Sequence, residues 1–137
     1  MGKRFSKIAK ELMQRAEYAA AAAYAPYSGI RVGAALYCGP DRIYQGLNVE
    51  NASYGLTMCA ERTAIYAALA HGERRFKLLV LYSPDFEAIT PCGACLQVMA
   101  ETAPGLVIAI MDHKREFHFH PLATLITRPF RIRRRPK

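Results

Sequence analysis

"TMCAERTA", residues 57–64, sets a cysteine two positions ahead of a glutamate at what reads as the start of an apolar helix. The pattern continues through "MCAERTAIYAALAH" (58–71). There Ala60, Ala64, Ala67, Ala68 and Leu69 recur at helical spacing, and Gly72 suits the C-terminal cap. A second cysteine-bearing start follows in "TPCGACLQV" (90–98), with Pro91 expected in the first turn of another helix. Between them, "KLLVLYS" (77–83) is a short apolar run of the buried-strand kind.

Toward the N-terminus, Phe5, Ile8, Ala9, Leu12, Ala16, Ala19 and Ala23 predict an amphipathic helix over about 4–24, stopped by Pro26. "RVGAALYC" and "RIYQGLNV", joined by "GPD", predict a hairpin at about 31–49, and "ENASYGLT" reads as a loop. Toward the C-terminus, "LVIAIMD" (106–112) and "REFHFH" (115–120) predict two more strands, and "PLATLI" a short last helix. The order α-β-β-α-β-α-β-β-α implies an α/β fold: a three-layer α-β-α sandwich around a mixed five-stranded sheet.

The chain has 137 residues, 52% of them hydrophobic, so one domain over residues 1–127 with its own core is expected, followed by a tail, 128–137. No apolar run is long enough to predict a transmembrane helix. The basic N-terminus lacks the continuous apolar stretch of a secretory signal. Four cysteines in such a chain favour thiol or metal chemistry over disulfides, and the cytoplasm is the expected compartment. The net charge of +8 suggests nucleic acid until it is located. "RPFRIRRRPK" (128–137) carries six basic residues and no acid, leaving the rest with 13 basic against 11 acidic residues. A polyanion-binding body spreads its cations over a face, so a solvated basic terminus is expected rather than a nucleic-acid partner.

Cys59, Cys92 and Cys95 all fall at expected helix starts, where the dipole and free N–H groups favour the thiolate that binds metal. Cys92 and Cys95, three apart on a helix, project to the same side, and Cys59 supplies a third ligand. Three protein ligands describe a catalytic zinc site with an open position, and one Zn2+ per chain is expected. Glu61 reaches water at that position without ligating the metal, as hydrolysis requires of a proton carrier. A closed four-cysteine structural site would need Cys38, which ends a strand with no paired cysteine nearby. A C-x-x-C redox motif would leave Cys59 and Glu61 without a role. Packing alone explains one buried cysteine, but not three at helix starts.

"CAE" followed, after 29 residues, by "PCGAC" resembles the zinc-dependent nucleoside and base deaminases, in which three cysteines are an accepted ligand set. "AYAPYS", "VGAAL", "GLNVENASYG", "CAERTAI" and "PCGACLQVM" extend the resemblance, in order, to the small homotetrameric cytidine deaminases. The resemblance implies zinc on Cys59, Cys92 and Cys95, with Glu61 shuttling protons. It assigns Asn48 and Glu50 to the ribose hydroxyls, and the backbone around Ala60 and Thr90 to the pyrimidine carbonyl and exocyclic amine. An amide and a carboxylate at alternate positions after a strand suit a diol, although turn residues would look the same. Arg62 is expected to offset the charge of three thiolates on one Zn2+, its alternative being a surface arginine. Gln97 is expected behind the ligands, and Tyr54 near a neighbouring subunit's site. His118 and His120 share a strand face, as exposed residues or a second metal site.

The chain departs from the family pattern at three places. Ile30 stands where relatives have Phe close to the base, Leu96 replaces an arginine, and Thr127 replaces a proline in "LITRPF". Phe130 matches the aromatic that closes a neighbour's pocket. The expected activity is hydrolytic deamination of cytidine and deoxycytidine in pyrimidine salvage, by a homotetramer acting on a small nucleoside. A deaminase of a modified cytidine or a blasticidin-type antibiotic is the alternative. From another class, a non-enzymatic zinc module binding nucleic acid through its tail would need no Glu61.

Overall fold

A computed structural model describes residues 2–136; Met1 and Lys137, the last residue of the basic tail, lie outside the described residues. Helix α1 (Gly2–Ala21) is followed by the hairpin β1 (Gly33–Gly39) and β2 (Arg42–Leu47), then by a 3-10 turn at Tyr54–Leu56. Next come α2 (Ala60–Ala70), β3 (Leu78–Tyr82), α3 (Gly93–Thr102), β4 (Val107–Met111), β5 (Phe117–Pro121) and α4 (Leu122–Leu125). The expected order holds, and the sheet is mixed and five-stranded, in the order β2-β1-β3-β4-β5. Only β3 and β4 run parallel, because α3 carries the chain back across one face between them. Helix α1 covers the other face, its Phe5, Ala9, Leu12 and Ala16 packing on Ala35, Leu78, Val80 and Ala109. Helices α2 and α3 lay Ala64, Ile65, Ala68, Cys95 and Met99 against Leu36, Leu79 and Ile108, completing three layers.

Boundaries differ from expectation where a specific contact takes the backbone. Helix α1 stops at Ala21, not Tyr24. Tyr24 N–H donates to the Asn48 carbonyl (3.0 Å) and its carbonyl accepts from Glu50 N–H (2.8 Å). Ala25, preceding Pro26, is in any case steered away from helix. The second cysteine-bearing helix begins at Gly93 with Cys92 as its extended N-cap, so Pro91 stands outside the helix rather than in its first turn. Strand β5 begins at Phe117, not Arg115, because Asp112 closes the preceding turn. Its carboxylate accepts from the N–H groups of Lys114 (2.9 Å) and Glu116 (3.0 Å), and from His118 Nε2 at 2.7 Å. The His118 contact, with those N–H groups, holds the Asp112 carboxyl down at about 2.

Two glycines set how closely the helices approach the sheet. A Cβ on Gly33 would collide with the Ala16 carbonyl of α1. One on Gly46 would strike the Ala60 carbonyl and lie 2.5 Å from the Ala64 nitrogen of α2. Both obstacles are backbone, so a methyl group displaces the helix. Gly33→Ala and Gly46→Ala are each expected to cost about 1–3 kcal/mol in urea unfolding. Gly105→Ala, where a Cβ meets nothing within 4 Å, should stay within about 0.5 kcal/mol.

Candidate metal centre and active site

The N-termini of α2 and α3 meet on one side of the sheet. Cys59 and Cys92 are their N-caps, and Cys95 lies in the first turn of α3. The three sulfurs lie within 4.8 Å of one another, with Cys59 Sγ 3.8 Å from Cys92 Sγ and Cys92 Sγ 3.5 Å from Cys95 Sγ. Tetrahedral ligands at the usual Zn–S length stand about 3.8 Å apart, so the cluster has the span one zinc requires. No side-chain hydrogen bond caps either helix, which leaves the sulfurs beside unspent N–H groups.

The Arg62 guanidinium closes the cluster from behind, its Nη2 lying 3.4 Å from Cys59 Sγ. Its Nε is buried without a hydrogen-bond partner. The neighbouring Cys95 and Arg62 groups draw the Cys59 thiol well below its ordinary value, while Cys59 and burial push Cys95 up. The cluster therefore favours thiolate at Cys59 and thiol at Cys95, and metal binding displaces the remaining protons. Glu61 is only 4% exposed. Burial pushes its carboxyl up to about 7, with Cys59 and Cys95 also acting on it. A dication beside it would pull that value down.

Glu50 stands on a cavity of about 400 Å³ with Tyr27, Ser28, Asn51, Tyr54 and Thr57. Its Oε1 accepts from the N–H groups of Tyr27 (3.0 Å) and Ser28 (3.1 Å), and its Oε2 from the Ser28 hydroxyl at 2.5 Å. Those bonds, the Ser28 hydroxyl first, hold its carboxyl below the usual range. Asn48 is buried and turned to the backbone: Oδ1 accepts from Val32 N–H and Nδ2 donates to the Ile30 carbonyl, both at 2.8 Å. Glu50 thus faces the cavity, while Asn48 chiefly shapes the 30–32 loop. Ile30 is 36% exposed on that loop.

Ala60 is buried as the first residue of α2, and Thr90 is exposed ahead of Pro91. Gln97, expected behind the ligands, pairs both ends of its carboxamide with the Phe130 backbone (3.0 and 2.9 Å). Phe130 is 72% exposed and does not line the Glu50 cavity. His118 is engaged with Asp112, and among the described residues Cys59, Cys92 and Cys95 are the group able to hold a metal. Tyr27, Ser28 and Thr63 were not anticipated. "PYSG" reads as turn material, but its serine orients Glu50. Thr63 Oγ1 accepts from Leu47 N–H (2.9 Å), fixing the α2 start to β2.

The chain matches the family model for the cytidine and deoxycytidylate deaminase zinc-binding region over residues 6–111. It belongs to this family. It is similar to a cytidine deaminase of Halalkalibacterium halodurans, 46% identical over 68% of this chain and 70% of that one. A cytidine deaminase of Sporosarcina psychrophila is 44% identical over 70% and 71%. The crystal structure of cytidine deaminase from Burkholderia pseudomallei superposes with a TM-score of 0.81 at 40% identity, covering 88% of this chain and 98% of that one. A blasticidin-S deaminase of Bacillus cereus is more distant, 29% identical over 58% and 62%. The family's zinc-binding character and the three sulfurs agree on a zinc enzyme.

Removing the guanidinium leaves the thiolate charge uncompensated. Arg62→Gln should keep close to one zinc per chain by metal analysis while turnover falls about 10–100-fold.

Proposed function

We propose that this enzyme hydrolyses cytidine and deoxycytidine to uridine and deoxyuridine plus ammonia. The observation that carries this reading is the convergence of three sulfurs of zinc-binding span with a buried glutamate two residues from one of them. Three thiolates leave a bound zinc with an open position, where it supplies the acidified water that hydrolysis consumes. Glu61 holds and moves the protons. It takes one from the attacking water and delivers it to N3 of the pyrimidine, then takes the second from the hydroxyl added at C4 and passes it to the amine as the C4–N bond breaks. The backbone at Ala60 and Thr90 meets the carbonyl and the amine of the base, and Glu50 accepts from the sugar hydroxyls. Asn48 supports that grip by fixing Ile30 and Val32 beside it. Tyr54, exposed at the cavity rim, and Phe130 complete the pocket across subunits of a homotetramer. Residues 1–127 form the catalytic domain and 128–137 its basic tail, and the enzyme works in cytoplasmic pyrimidine salvage. No described helix is long and apolar enough to cross a membrane.

The intact Glu50 cavity and the greater distance to the blasticidin-S deaminase favour a nucleoside over an antibiotic substrate. An ultraviolet assay across cytosine, cytidine, deoxycytidine and N4-substituted cytidines tests this, with the two unmodified nucleosides expected to turn over fastest. Glu61→Ala should keep its zinc and lose about 10²–10⁴-fold in kcat. A zinc module without catalysis would show no turnover before or after the change.

Ile30 supplies apolar area but no π-face to the base. Ile30→Phe should lower KM for cytidine several-fold, about 1 kcal/mol of added stacking, with kcat unchanged because the metal ligands and Glu61 are untouched. Tolerance of N4 substituents should narrow in the same variant.

A further inference from the structure

The segment after α4 has no regular structure, and residues 130–136 are exposed. Among the described residues of 127–136, the hydrogen bonds that tie this segment to the body all come from one side chain. Gln97 Nε2 donates to the Phe130 carbonyl at 3.0 Å, and Gln97 Oε1 accepts from Phe130 N–H at 2.9 Å. A carboxamide matched to both backbone groups of one residue acts as a short strand partner would. It fixes the position of that residue and the direction of the chain through it. Gln97 sits on α3 two residues beyond Cys95, so the anchor rests on the helix that carries two of the metal ligands. The Phe130 ring is left 72% exposed, bordering a groove with Ala100, Glu101 and Pro104.

We propose that Gln97 is the positioning residue for Phe130. Its carboxamide presents the ring outward at a fixed place, ready to enter the nucleoside pocket of a neighbouring subunit. This rests on the reading of Phe130 as a pocket residue given above. Both side-chain hydrogen bonds of Gln97 go to Phe130, so it acts through the Phe130 backbone. Losing it therefore costs substrate binding and leaves chemistry alone. An unheld segment must be ordered each time substrate binds, and that cost appears in KM.

The full-length zinc enzyme contains no tryptophan, so Phe130→Trp places a single reporter at the anchor. With Gln97→Ala added, the fluorescence anisotropy of that tryptophan should fall, while zinc content stays the same. In the Phe130 enzyme, Gln97→Ala should raise KM for cytidine about tenfold with kcat within about twofold. Gln97→Glu, which keeps the acceptor and loses the donor, should fall between. Ending the chain after Arg131 should change nothing, since the anchored peptide remains. The proposal is overturned if anisotropy is unmoved in Gln97→Ala. It is equally overturned if KM is unmoved there while Phe130→Ala raises it, or if zinc and kcat fall instead. Phe130→Ala with an unchanged KM would overturn the pocket reading itself, and with it the substrate consequence of the anchor.

Discussion

Three sulfur atoms must come within reach of one ion, and this constraint fixes where two helices begin. Cys59 and Cys92 serve as N-caps although neither makes a capping hydrogen bond. Ser, Thr, Asp or Asn would cap the backbone N–H groups better. The positions are instead given to thiols, whose charge the same N–H groups and Arg62 favour. The rest of the sandwich holds these two ends side by side. Parallel β3 and β4 define the start of α3, Gly46 lets α2 lie close on β2, and Thr63 fastens its first turn to Leu47.

A second layer of support surrounds the expected sugar site. The loop 27–32 has no regular structure, yet it is held from both sides. Glu50 takes the N–H groups of Tyr27 and Ser28, Asn48 takes Ile30 and Val32, and Asp85 accepts from Arg31 N–H at 2.8 Å. The side chains expected to meet a ligand are thus the same ones that order the loop beside it. Substitutions at Asn48 or Glu50 therefore act on shape as well as on contact.

Helix periodicity and the cysteine spacing make the fold and the metal centre legible in the sequence. Alanine and leucine at helical intervals located α1 and α2, and "PCGAC" located α3. What was not legible depends on partners distant in sequence. The early end of α1 comes from pairing with Asn48 and Glu50, and the late start of β5 from one Asp112 carboxylate. Gln97, two residues from a ligand, was expected behind the metal. It turns instead to a backbone 33 residues away, which spacing along one helix cannot disclose.

The Glu50 carboxylate has a further consequence, in terms of charge. It is held ionised by three donors, and the cavity it shares is lined by Tyr27, Ser28, Asn51, Tyr54 and Thr57, with no cation among them. An ionised carboxylate only accepts, so in the proposed sugar-binding role it would select hydroxyl hydrogens. A phosphorylated sugar would bring negative charge toward a fixed anion, with no lysine or arginine in the cavity wall to meet it. With Glu50 in the proposed sugar-binding role, such a cavity would disfavour a nucleotide relative to its neutral nucleoside.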